Sequence, residues 1–259
     1  MSARGAAPSD GSDGSDRPVA SVPWAGGVAV LDVLIIYGAA QILAAVIALG
    51  LAGSGDDPDA LLPLLIALSP VVSLTATVLW LQVRYGGRLR ALMGQRAPRL
   101  SDVGIGVGIG LLCLLGQRII ALGIAAVAEG LGAELPVVQE TFRTIAQRPG
   151  AVPLFVVTTV VLAPLAEEVL FRGVLFQGLR QRTGFWVAAL VSAALFTLPH
   201  LAEGGGVFAS GVISSGILPL GVVFAALVER RRSLAPAIVA HATYNAIGVA
   251  VLILLPGQV

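Results

Sequence analysis

Two adjacent glutamates, Glu167 and Glu168, and an arginine, Arg172, stand in the run APLAEEVLFRGVLFQG between Ala163 and Gly178, a segment otherwise apolar and long enough to lie in a bilayer. Ionisable groups in hydrocarbon cost about 2.5 to 3.5 kcal/mol each on insertion scales, so they persist where they are paired or face a functional cavity. Residues four apart share a helix face, which lets Glu168 and Arg172 neutralise each other within one helix. Glu167 is turned about 100° from Glu168 and its i+4 neighbour is Phe171, so its partner must come from another helix. The chain has two histidines, His200 and His241, and each bounds a short polar pattern in an apolar segment: FTLPH from Phe196 to His200, and HATYN from His241 to Asn245.

Depth brings these groups together. With the turn between the two helices centred near Thr183, Glu167 lies sixteen residues before it and His200 seventeen after it. At 1.5 Å per residue both sit about 24 Å from the turn, level on neighbouring antiparallel helices. Asn245 follows Arg232 by thirteen residues, a rise of about 20 Å, and His241 shares its face one turn nearer the same end. A carboxylate, two imidazoles and an amide around a dry cavity are what amide hydrolysis needs: a base to take a proton from water, and donors to meet the oxyanion. The plainer reading is that such residues only hydrogen-bond across helices, at about 0.6 to 2 kcal/mol each. Both histidines at compatible depths beside an unpaired glutamate favour the chemical reading.

The elements that must position them are membrane helices. Of 259 residues, 56% are hydrophobic and 12% charged, whereas a soluble domain carries about 25% charged residues. The fold class is therefore all-α: a polytopic membrane helix bundle. Apolar runs near the length of about 20 residues that a crossing needs predict about seven transmembrane helices: 27–52, 60–82, 103–128, 152–179, 185–200, 207–228 and 234–255. The fifth is short, and Gly216 and Pro219 interrupt the sixth. Residues 1–22, rich in Gly, Ser and Asp, predict a disordered cytoplasmic tail retained on the mature chain, with residues 23–259 as the membrane bundle. Net charge is +1, which leaves no footprint for nucleic acid.

Loop charge orients the bundle, because short cytoplasmic loops collect basic residues. Arg84, Arg88, Arg90, Arg96 and Arg99 lie in one connection, Arg180 and Arg182 in another, and Arg230, Arg231 and Arg232 in a third. Asp56, Asp57, Asp59 and Glu203 occupy intervening connections, and the loop with Glu129, Glu134, Glu140, Arg143 and Arg148 is mixed. All the arginine-rich loops fall on one side, which predicts N-in and C-out. Trp24, Trp80 and Trp186 fall at that same boundary, where indoles favour the headgroups. Asp32 is placed at the inner interface. The spacing of Gly104, Gly106, Gly108 and Gly110 inside an apolar run predicts close helix packing, not a nucleotide loop. Cys113, the single cysteine, reads as a packing residue. Gln117 and Arg118 lie mid-helix, and Arg118 needs a partner in the bundle or a lipid phosphate.

EEVLFR (Glu167 to Arg172), FTLPH and HATYN together resemble the three motifs of the CPBP family, EExxxR, FxxxH and HxxxN or HxxxD, in order. That family comprises CAAX proteases of the Ras-converting type and bacteriocin-processing, Abi-like enzymes. The resemblance covers about residues 150–250, which would be the catalytic core. It implies an intramembrane endopeptidase of the cell membrane, as in a bacterial inner membrane, acting on a membrane-anchored or lipidated protein or peptide. It further implies that Glu167 with His200 activates water, that His241 and Asn245 form the oxyanion hole, and that Glu168 and Arg172 are structural supports. No cofactor is favoured. Zinc on Glu167, His200 and His241 is the alternative, although no HExxH places two histidines on one helix. Rival readings are a non-proteolytic scaffold or bacteriocin-immunity protein of the same family, which would tolerate loss of Glu167, His200 or His241, and a transporter, whose repeated halves are not seen here.

Overall fold

The computed structural model describes residues 22–52, 58–87, 89–94, 96–132, 145, 148, 150–201 and 207–255. The expected tail lies outside the described residues except for Val22, as do Asp56, Asp57, Arg88, Glu134, Glu140, Arg143 and Glu203. The described elements are helices in the order α1 (Gly27–Ala52), α2 (Pro58–Tyr85), the single turn α3 (Leu89–Leu92), α4 (Leu100–Gly130), α5 (Val152–Arg180), α6 (Phe185–Leu201), α7 (Val207–Arg231) and α8 (Ala235–Leu254). The all-α polytopic bundle stands. Six of the helices are long and apolar enough to cross a membrane, which makes this a membrane protein. The expected fifth crossing, α6, has 17 residues and a rise of about 26 Å, short of a hydrocarbon core of about 30 Å. Contrary to expectation, α7 runs through Gly216 and Pro219 without interruption.

Helix α5 is the centre of the bundle and touches α1, α2, α6, α7 and α8. Its second half supplies an unbroken buried run from Glu168 to Arg180, and Phe171, Val174, Leu175 and Phe176 form the middle of the apolar core. The outer faces of the other helices remain apolar where they are exposed, as at Ile42, Leu49, Ile119 and Leu122. Lipid is the solvent these faces require, since in water an apolar surface of that extent would associate.

Helix α4 packs mainly on α8 through two of its four closely spaced glycines. A Cβ at Gly106 would lie 2.6 Å from the Val239 side chain, and one at Gly110 would lie 2.6 Å from the Ala240 carbonyl oxygen. Gly104 and Gly108 face open space. The close-packing expectation holds for the pair four residues apart, which sets the distance at which α8 presents its polar face.

One end of the bundle gathers the arginine-rich connections. The Gly26 amide donates to the Gly178 carbonyl at 2.8 Å, and the Leu234 amide to the Met93 carbonyl at 3.0 Å. Asp102 is buried between Arg96 (2.5 Å) and Arg231 (3.0 Å), and Arg180 pairs with Glu229 at 3.1 Å. Two residues at this end face protein instead of headgroups. Trp24 is fully buried, donates from Nε1 to the Val174 carbonyl at 3.1 Å, and packs edge-on against Trp80 and Tyr85. Asp32 is buried beside Tyr85, which donates to it at 3.5 Å, and Arg84. In both cases α2 covers a position that would otherwise face headgroups. Trp186, by contrast, is exposed.

Candidate active site

The site begins with a defect in α5 that its own sequence creates. Over Thr158–Leu162 the winding widens, and the Ala163 amide bonds to the Thr158 carbonyl five residues back. The Thr159 carbonyl would next accept from residue 164, but that residue is proline and has no N–H. Asn245 on α8 fills the gap, donating from Nδ2 to the Thr159 oxygen at 2.8 Å. A second widened stretch, Glu168–Phe176, carries Glu168 and Arg172. Such widened turns are rare in helices and often accompany functional sites.

Glu168 and Arg172 form the expected ion pair, with Nη1 to Oε1 at 2.9 Å and neither side chain exposed. Arg172 also donates to the Gly221 carbonyl at 3.1 Å, and its guanidinium lies 4.4 Å from the Phe196 ring centre and 5.4 Å from that of Phe224. The pair therefore belongs to a larger network than the sequence suggested, because Glu168 Oε1 is also 3.1 Å from His241 Nδ1. A carboxylate can only accept, so Nδ1 carries the proton and Nε2 is turned to other work. Phe224 stacks on the His241 ring at 5.2 Å, and Phe196 meets it edge-on at 5.8 Å.

Glu167 finds its partner on another helix, as its spacing required. The near contact is His241, whose Nε2 lies 3.6 Å from Oε2. The Glu167 side chain is 26% exposed where that of Glu168 is 0%, so only Glu167 is open to a reactant. His200 donates from Nδ1 to the Phe196 carbonyl at 3.1 Å, since a carbonyl can only accept. In the neutral ring that leaves Nε2 as a lone-pair acceptor.

Glu167, His200, His241 and Asn245 all line one cavity of about 360 Å³. The residues named as supports, Glu168 and Arg172, are buried behind it. The cavity also takes in groups that the sequence reading passed over: Gln41 on α1, Ser69 and Ser73 on α2, and Tyr244 on α8. Polar side chains spaced four apart in an apolar helix, as Ser69 and Ser73 are, were the available signal. Gln117 lines the cavity as well and accepts from the Tyr244 hydroxyl. Arg118 beside it is exposed, and Cys113 is a half-buried packing residue.

Zinc needs its ligands about 2.0 to 2.2 Å from one point, with an unprotonated nitrogen from each histidine. Among the described residues no three His, Cys, Asp or Glu side chains gather in that way; Glu167 Oε2 and His241 Nε2 stand 3.6 Å apart, with Glu168 on the other ring nitrogen.

Residues 149–247 match the family model described as "Type II CAAX prenyl endopeptidase Rce1-like". That span holds all three motifs. The chain is also 32% identical over 101 residues to "Putative membrane peptidase YdiL" of Bacillus subtilis (strain 168), an alignment covering 36% of this chain and 40% of that protein. The chain thus spans less than half the length of the curated relative it matches. No solved structure matches.

Proposed function

From the match of residues 149–247 to the Rce1-like family model and the three motifs within it, we propose that this chain is an intramembrane endopeptidase of the CPBP family. It hydrolyses a peptide bond of a membrane-anchored or lipidated protein or peptide. The observation that carries this reading is the meeting of Glu167, His200, His241 and Asn245 on one cavity, with Glu167 alone of the two adjacent glutamates open to it. Glu167 takes a proton from water, with His200 Nε2 as the second acceptor, and the hydroxide oxygen bonds to the scissile carbonyl carbon. The carbonyl oxygen becomes an oxyanion. It accepts from the Asn245 Nδ2 proton not used on Thr159 and from protonated His241 Nε2, which Glu168 holds in place through Nδ1. When the C–N bond breaks, Glu167 returns its proton to the leaving amine, and carboxylic acid and amine are released. No step passes through a metal ion.

The test is cleavage of membrane-anchored peptides by purified protein in lipid, followed by mass spectrometry. Glu167→Ala abolishes cleavage, while Asn245→Ala, which removes one oxyanion donor, lowers turnover by about 100- to 1000-fold. A chelator leaves the rate unchanged. Full cleavage by Glu167→Ala overturns the reading and favours a scaffold or immunity role. Loss of cleavage on chelation, restored by zinc, overturns the metal-free mechanism.

A further inference from the structure

We propose that Gln41, Ser69 and Ser73 form a docking face that binds the backbone of an extended substrate segment, an inference that rests on reading the cavity as a peptidase site. The three residues line the same cavity as Glu167 but belong to α1 and α2, whereas the catalytic groups belong to α5, α6 and α8. Ser69 Oγ donates to Gln41 Oε1 at 2.8 Å, and Gln41 Nε2 donates to Ser73 Oγ at 3.3 Å. These bonds hold the carboxamide still without exhausting it. Gln41 keeps a second N–H and a second lone pair on Oε1, and the Ser73 hydroxyl proton has no acceptor among the described residues. Pro70, inside α2, removes the donor that the Ile66 carbonyl would otherwise have four residues on, and Ile66 and Pro70 both line the cavity.

A fixed carboxamide with one free donor and one free acceptor is the hydrogen-bonding equivalent of a peptide group. A substrate segment unwound for hydrolysis at this depth needs such partners, because its N–H and C=O groups have left water and their own helix. The level fits as well. The Gly26 amide is bonded to the Gly178 carbonyl, Gln41 follows Gly26 by fifteen residues, and Glu167 precedes Gly178 by eleven. On antiparallel helices this places Gln41 beyond Glu167, away from the arginine-rich end, where a substrate segment extending from the scissile bond would pass it.

The experiment uses the full chain carrying Glu167→Gln, in nanodiscs, and a pool of palmitoylated decapeptides randomised in side chain and bearing a benzophenone. A second pool has the same composition with N-methylated backbone amides. Photocapture is counted by mass. The ordinary pool is captured at least tenfold better than the methylated one, and adding Gln41→Leu or Ser73→Ala removes that preference. The methylated pool is captured to the same extent by all forms. Ser73→Ala, the smaller change, decides the matter where Gln41→Leu does not fold. Equal capture of both pools, capture of neither, or a preference that survives Gln41→Leu and Ser73→Ala overturns the docking face. The chain with Glu167 restored is tested separately for cleavage. Capture without cleavage removes the endopeptidase reading and leaves the docking face, and cleavage indifferent to backbone methylation removes only the docking face.

Discussion

Arg172 is a charge enclosed entirely by protein, and its surroundings explain how it is tolerated. Glu168 neutralises it, the Gly221 carbonyl takes one N–H, and the rings of Phe196 and Phe224 cover it. Guanidinium over an aromatic face gains about 2 kcal/mol when desolvated. Arg172→Ala leaves Glu168 with only His241, and breaking a buried pair from one side costs about 3 to 5 kcal/mol. The expected outcome is poor yield and a lower melting temperature in detergent, partly recovered by Glu168→Gln with Arg172→Gln. Normal yield and an unchanged melting temperature for Arg172→Ala would contradict the pairing. The two glutamates are chemically identical, yet one is sealed and the other open. Their single-residue offset on a helix is enough to separate them.

Pro164 acts at the scale of an element. By withholding an N–H from the Thr159 carbonyl, it leaves an acceptor that orients Asn245 from a different helix. Pro164→Ala restores the donor, and α5 then satisfies Thr159 internally. A proline inside a helix costs about 3 kcal/mol, so the substituted protein should melt no lower than the parent. Its cleavage rate should nevertheless fall at least tenfold, because the Asn245 amide is no longer held. A variant of normal activity would show that the Thr159 contact does not position Asn245. Rate and melting point moving in opposite directions is an outcome that general damage to the fold does not produce.

For the whole molecule, the relative sidedness of the connections is a matter of structure, since hydrogen bonds and ion pairs tie the start of α1 and the ends of α2, α5 and α7 into one arginine-rich end. Which end faces the cytoplasm is the prediction of the arginine distribution. In a Cys113→Ser background, a cysteine at Gly184 should be shielded from an impermeant reagent in intact cells. One at Leu131, at the opposite end, should be labelled. Gly184 has open space around it and Leu131 is exposed, so neither substitution disturbs packing. The reverse labelling pattern would invert the topology and with it the side from which water reaches Glu167.

The helices, their turn near Thr183 and the depth that lets Glu167 and His200 line one cavity were legible in the sequence because apolar length and rise per residue are local properties. The Glu168–Arg172 pair was legible for the same reason, being four residues apart on one helix. Tertiary structure alone decided which nitrogen of His241 faces which glutamate, because that depends on the rotation of α8 against α5, held by Gly106 and Gly110 from the far side. It also decided that Trp24 and Asp32 are covered by α2, and that Gln41, Ser69 and Ser73 join the cavity. Hydropathy records how far into the membrane a residue lies. Which neighbour it meets there depends on how each helix is rotated against the others, and that rotation is set by side-chain packing across the whole bundle.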